Sequence, residues 1–312
     1  MHARVIRRDS RFLLAADAVT TTAAAYDQAG EGYLAYADGN LRSLYAFDSA
    51  YAYGDRLVWN LLESKLARRR STSARSIVIL DAGCGPGTWL RRLVARAHAL
   101  GFDRIEARGF DIAEAQIRRA RLLSRDVAML PGVNLTFEVG DLLGRLPEAD
   151  ATVDLCLCLY GVLNHLPVGR LPAILAELSR VTAGHFVSTV RAAGSMPTIF
   201  VDALEKARNF KQDHGRDWCE VELRDGRRIA FDCHLFTAAE LRRLIAGHFE
   251  IEDLRGLDLF HSRFALDRRW NPDSAARNQR LPHELARLEE IYAADPDFID
   301  RAAHLLFVAR RR

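Results

Sequence analysis

The 312-residue chain predicts an α/β fold: a mostly parallel sheet covered by helices on both faces. Three observations predict it. From about residue 75 onward, strand-like runs alternate with helical patterns of about ten to twenty residues, the rhythm of βαβ units. The runs SIVIL (76–80) and VDLCLCL (153–159) are apolar almost throughout, as strands buried on both faces must be. The first of them stops at Asp81, and the turn that follows carries Gly83, Gly85 and Gly87 before a helical pattern begins.

Each element follows from local signals. Residues 1–70 read as a helical layer, with apolar and aromatic residues three and four apart in TTAAAYDQAGEGYLAYADG and LRSLYAFDSAYAYGDRLVWNLLESKLARRR. SIVIL is the first strand, and TWLRRLVARAHALG is a helix ending in glycine. IEARGFDI is strand-like. AEAQIRRARLLSRDVAML is helical and stops at Pro131-Gly132. NLTFEVGDL alternates as a strand, ATVDLCLCLYGV is a fourth, PAILAELSRVTAG is a helix with a terminal glycine, and HFVSTVR is a fifth strand.

After Arg191 the rhythm breaks. Residues 195–236 hold a short helical piece and then WCEVELRDGRRIAFDCHLF, two alternating runs around Asp225-Gly226 that read as a hairpin. Thr237 and Glu240 form a capping box that opens the helix AAELRRLIAGH. FEIEDLRGLDLF returns to strand, residues 257–302 are helical and punctuated by proline, and HLLFVARR closes the sheet. The organisation expected is one domain, 71–312, with a helical layer over 1–70 and two insertions, 195–236 and 257–302.

Composition narrows the function. The formal charge is +3, and apart from Lys65, Lys206 and Lys211 every cation is arginine, a skew that a GC-rich genome explains better than a phosphate-binding surface. A nucleic-acid partner is therefore not expected. No apolar run reaches the length of a membrane span and the first residues lack a signal-peptide core, so a soluble cytoplasmic protein is expected. Cys84, Cys156, Cys158, Cys219 and Cys233 make no CxxC pair and no zinc-like cluster, so no metal is expected.

The glycine turn points to a ligand. A strand that feeds a helix through glycines gathers backbone N–H groups at one point and lets a ligand lie against bare backbone. In open α/β sheets this point lies at the carboxyl ends of the strands. The spacing is DxGxGxG rather than the dinucleotide fingerprint GxGxxG, and no GK[ST] follows. Asp111 ends the second strand, where a carboxylate can accept both hydroxyls of a ribose; capping the next helix is the plainer role, and the two are compatible. Asp141 follows the third strand, placed for an adenine amino group. Carboxylates after three successive strands would repel a pyrophosphate but suit a ligand with a ribose, an adenine and an ammonium group.

In these motifs the chain resembles the class I S-adenosylmethionine-dependent methyltransferases. VILDAGCGPGTWL is similar to their first motif, GFDI to the second, GDL to the third, and VDLCLCLYGVLNHLP to the fourth strand and its exit loop. The resemblance covers about residues 75–256 and the final strand. It implies a Rossmann-like seven-stranded sheet in the order 3-2-1-4-5-7-6 with the last strand antiparallel, and S-adenosylmethionine as cofactor. It further implies that Gly83, Cys84 and Gly85 face the methionine part, Asp111 the ribose and Asp141 the adenine, with Ile112, Gly140, Leu142 and Leu159 on the same wall. Asp81 would orient the loop or meet the ammonium group.

Tyr26 and Tyr33 share a helix face, either as a core stripe or as part of a lid that reaches the methionine carboxylate. YDQAGEGY is similar to the YDxxAxxY opening of many small-molecule methyltransferases. At the exit of the fourth strand, His165 has the ordinary pKa of a general base, while Asn164 or Tyr160 would orient an acceptor. Neither [DN]PP[FY] nor a Pro-Cys nucleophile is present, which leaves N- or O-methylation of a small molecule. Arg191, at the tip of the fifth strand, is placed for an acceptor carboxylate, and His234, His261, Arg263 and Trp270 are further acceptor contacts. Two alternatives stand: methylation of RNA or protein, for which Arg255, Arg263, Arg268, Arg269, Arg277 and Arg280 would form the docking face, and a catalytically silent cofactor-binding protein. The aromatic N-terminal layer would also serve a homodimer.

Overall fold

The computed structural model describes residues 22–27, 44–47, 52–195, 207–223, 226, 228–265 and 280–312. Helix α1 (Ala52–Ser71) leads into β1 (Ser76–Ala82), α2 (Thr88–Ala99), β2 (Arg104–Asp111), α3 (Glu114–Leu123), α4 (Arg125–Ala128) and β3 (Val133–Val139). The second half runs β4 (Val153–Cys158), α5 (Leu171–Val181), β5 (Thr182–Arg191), the strands β6 (Ala207–Asp213), β7 (Trp218–Leu223) and β8 (Arg228–Asp232), then α6 (Ala238–Ala246) and β9 (Phe249–Leu257). Helices α7 (His261–Phe264) and α8 (Arg280–Tyr292) precede β10 (His304–Arg311).

Seven strands form one sheet in the order β3-β2-β1-β4-β5-β10-β9. Pairings among the first five are parallel, and β10 runs antiparallel to both β5 and β9. This is the order 3-2-1-4-5-7-6 expected from the motifs, since β9 and β10 are the sixth and seventh strands of this sheet.

Alternation along the strands sorts side chains onto two cores. Ile77, Ile79, Leu155 and Leu157 pack with α1 and α2 on one face, while Leu80, Ala82, Cys156 and Cys158 pack with α5 and α6 on the other. Leu90, Leu93, Val94 and Ala97 are fully buried along α2, and each buried leucine contributes about 1.5–3 kcal/mol. All five cysteines are free and buried.

Several boundaries differ from the pattern. Residues 44–47 leave the helical layer: Arg92 donates to the Leu44 carbonyl and, at 3.3 Å, to that of Ala46, groups that a helix would have bonded internally. The same guanidinium lies 4.7 Å from the Phe47 ring centroid. The helix after β2 breaks at Ser124, and Arg91 takes the Leu123 carbonyl at 2.8 Å. Strand β5 begins at Thr182, claiming residues read as the end of a helix. In the first insertion the hairpin β7–β8 gains a third antiparallel strand, β6.

Candidate functional site

The glycine turn is tightened by its own chain. Gly83, Gly85 and Gly87 all have positive φ, at 79°, 51° and 78°. A Cβ on Gly83 would lie 2.4 Å from Val162 Cγ2, and one on Gly87 would lie 2.8 Å from the Phe137 ring. The Gly83 and Cys84 N–H groups both donate to the Phe110 carbonyl, at 2.8 and 2.9 Å, which ties the turn to the end of β2. The Gly85 N–H instead donates to Asp111 Oδ2 at 2.9 Å.

The turn forms one wall of an open cavity of about 1550 Å³, counting its solvent-filled mouth. Asp81, Gly83, Cys84, Gly85, Asp111, Ile112, Gly140, Asp141, Leu142 and Leu159 all line it. Asp111 also accepts the Ala113 N–H at 2.9 Å, so each of its oxygens holds a backbone donor. Asp111 thus caps the turn that follows β2 while lining the cavity. Burial pushes the Asp111 carboxyl above its ordinary value. Asp81 is 2% exposed, receives no hydrogen bond from the described residues, and is driven up to about 7, first by burial and then by the charge of Asp111.

The exit of β4 forms the adjoining wall. Tyr160 has positive φ (57°), stacks on Trp89 with centroids 5.7 Å apart, and donates its hydroxyl hydrogen bond to Asp55. Next to it, His165 Nδ1 faces the Asp232 carbonyl at 2.7 Å, so this nitrogen carries the proton. Nε2 then accepts from the Tyr26 hydroxyl at 2.9 Å. Burial pushes the imidazole down to about 4, which holds it neutral. A base this weak, with its lone pair already occupied, does not suit the general-base role expected of His165. It positions the Tyr26 phenol.

Residues 79–185 match the family model described as a methyltransferase domain. The matched stretch runs from within β1 into β5 of the seven-stranded sheet. The fold of the chain is shared with a solved protein of Pyrococcus horikoshii OT3 at 18% identity and a TM-score of 0.50, over 86% of this chain and 94% of that one. An S-adenosylmethionine-dependent methyltransferase of Methanosarcina mazei is 17% identical with a TM-score of 0.48, over 76% and 93%. Magnesium protoporphyrin IX methyltransferase of Synechocystis PCC 6803, solved with bound SAH, is 16% identical with a TM-score of 0.45, over 84% and 85%. At these identities the likeness is one of fold. No curated protein matches the chain.

Around the cavity, several expected acceptor contacts stand elsewhere. Asn164 is fully buried behind the cavity wall: Nδ2 donates to the carbonyls of Arg191 and His234, and Oδ1 accepts the Arg191 N–H at 2.9 Å. It is a bracket between strands, with no group left for an acceptor. His234 bridges Asp217 and Glu240 through its two ring nitrogens, both at 2.9 Å. That contact also takes the Glu240 carboxylate that the capping box would have turned back, while Thr237 keeps its half of the box, accepting the Glu240 N–H at 3.1 Å. His261 stacks on Tyr53 at 4.5 Å, and Arg263 donates to the carbonyls of Gly194 and Arg301. None of these four lines the cavity. Tyr33, Trp270, Arg268, Arg269 and Arg277 lie outside the described residues.

Tyr26 and Arg191 do line it, joined by residues that local patterns did not disclose: Thr22, Asp55, Trp89, Gln116, Phe231 and His304. Tyr26 belongs to a helical turn, residues 22–27, that Asp27 fastens to the start of α3 by accepting the Ala115 N–H at 3.1 Å. Ala25 packs in a separate cluster with Cys219, Val221, Ile229 and Phe231 of the three-stranded sheet. His304 had a readable signal. As the first residue of an antiparallel last strand, it must stand opposite Arg191, at the carboxyl ends of the parallel strands. Burial, with Arg191 adding to it, pushes this histidine down to about 3.

Proposed function

We propose that the chain binds S-adenosylmethionine along the turn after β1 and transfers its methyl group to nitrogen or oxygen of a small-molecule acceptor seated against the exits of β4 and β5. The observation that carries this reading is Asp81. A buried carboxylate with no donor among the described residues, pushed up to about 7 at the end of β1, fits a ligand that brings an ammonium group of its own. Asp111, a carboxylate lining the cavity at the end of β2, fits ribose hydroxyls, and Asp141 after β3 fits an adenine amino group. When bound, the cofactor supplies an electrophilic methyl group on a cationic sulfur.

The chain's own contribution is placement. Methyl transfer is an in-line displacement, and holding two reactants about 3–3.5 Å apart in a dry site provides much of the acceleration. The cavity brings the turn and the β4 exit to one place, with Trp89, Tyr160 and Phe231 as aromatic lining. Arg255, among the arginines that a macromolecular acceptor would use, is paired with Asp253 at 2.7 Å, and Arg263 is spent on backbone carbonyls. Both observations favour a small acceptor.

The test has two parts. Asp111→Ala should weaken S-adenosylhomocysteine binding by about 1–3 kcal/mol in calorimetry, the value of a charge-assisted hydrogen-bond pair; unchanged affinity would return Asp111 to helix capping alone. Radiolabelled S-adenosylmethionine, incubated with the protein and a cell lysate, should label the small-molecule fraction. Label confined to RNA or protein would reverse the assignment of acceptor, and no label in any fraction would favour a silent binder.

A further inference from the structure

We propose that the acceptor is an organic acid with an apolar body, its carboxylate seated on the Arg191 guanidinium. The inference rests on the proposed division of the cavity into a cofactor half and an acceptor half.

The sheet order separates the charges. Asp81, Asp111 and Asp141 follow β1, β2 and β3, on one side of the β4 exit, and Arg191 ends β5 on the other. The remaining lining carboxylate, Asp55 of α1, accepts the Tyr160 hydroxyl at the β4 exit. Neighbouring strands lie about 4.8 Å apart, so β1 and β5 stand about 10 Å apart, room for two ligands side by side across the β4 exit. Among the described residues that line the cavity, Arg191 is the one arginine and lysine is absent. His165 and His304 flank it, and burial together with the Arg191 charge keeps both imidazoles neutral. The positive charge of this half is therefore that of Arg191.

Arg191 is also held in place. Its N–H donates to Asn164 Oδ1, and its carbonyl accepts from Asn164 Nδ2 at 3.2 Å and from the Phe236 N–H at 3.0 Å. A Cβ on Gly161 would lie 3.7 Å from Arg191 Cγ, so the side-chain stem passes directly beneath the β4 exit. The guanidinium, on a residue 8% exposed, donates to Ser195 Oγ at 3.3 Å. A buried, preorganised guanidinium presents a planar fork that matches a carboxylate better than any neutral group. Leu166 and Phe231 add apolar surface to the same cavity, Phe231 packing edge-on against His165. This surface favours an aromatic or branched acid over a small hydroxy acid.

A carboxylate at Arg191 could come from the acceptor or from the methionine part of the cofactor, and the experiment separates them. Benzoate and its neutral isostere benzamide are titrated into the protein with and without saturating S-adenosylhomocysteine, following heat and Trp89 fluorescence. Benzoate should bind at least tenfold more tightly than benzamide. Arg191→Met should reduce benzoate to the benzamide level while S-adenosylhomocysteine affinity stays within twofold, and Arg191→Lys should recover part of the preference. Equal binding of the two probes to the wild-type protein, or no binding of benzoate, overturns the proposal without needing any variant. A tenfold loss of S-adenosylhomocysteine affinity in Arg191→Met, with 5′-methylthioadenosine affinity unchanged, also overturns it and assigns the arginine to the cofactor. If the wild-type protein fails to bind S-adenosylhomocysteine, the proposed function falls, while the titrations on the ligand-free protein still decide the anion site.

Discussion

Replacing Asp81 by asparagine should stabilise the ligand-free protein in a pH-dependent way. The carboxyl titrates at about 7 in the fold against an ordinary value of 3.8. Between those values the folded chain holds a proton that the unfolded chain has lost, so stability falls as pH rises. The penalty is absent below about pH 4 and complete above about pH 7, where it amounts to about 4 kcal/mol. Asparagine keeps the shape and removes the charge. Urea denaturation of Asp81→Asn and wild type at about pH 5, 6.5 and 8 should show the variant gaining stability steadily across the series. Binding should change in the opposite direction. An ammonium group beside Asp81 favours its ionised form, so S-adenosylhomocysteine affinity of the wild type should rise with pH up to about 7, with proton release visible when calorimetry is repeated in buffers of different ionisation heat. The variant should lose both affinity and proton release. A stability gain that is constant over the pH series, or unchanged binding, would refute the assignment of an unpaired, ligand-facing carboxylate.

Two further outcomes follow from the site. Gly87→Ala should cost about 2–4 kcal/mol in urea denaturation, because positive φ and the Phe137 ring oppose the added methyl group together; a cost below about 1 kcal/mol would mean the turn relaxes freely. His165→Gln should keep the hydrogen bond from the Tyr26 hydroxyl and leave the shape of the pH–rate profile unchanged, whereas loss of an inflection on that profile would restore the histidine as a base.

Period-2 and period-3.6 patterns made the individual strands and helices legible because the strands are buried and most helices amphipathic, whereas the order of the seven strands was legible only through the family resemblance. The turn after β1 was legible locally, since Asp81 and its glycines are contiguous in sequence. Function at the other wall was not. Tyr160, Asp55 and Trp89 meet across more than a hundred residues, and nothing in LYGVLNH or AYGDR announces that contact. Asn164 and His165 looked equally chemical in sequence, yet burial assigns one to the backbone and neutralises the other. The third strand of the insertion was hidden in ARNFKQD, whose charges and amide break any alternation.

The joint between the β4 exit and the first insertion sets a limit on modular exchange. The insertion runs from 195 to 236 in sequence, but its last strand is fastened to the β4 loop by the His165–Asp232 bond and by the Asn164–His234 pair, which bonds in both directions. A chimera cut at those sequence boundaries would carry a foreign roof over a native loop and leave Asn164 with unmatched partners. The transplantable unit is discontinuous: residues 164 and 165 must travel with the strands they hold. Divergence towards a new acceptor would therefore have to change both segments in step.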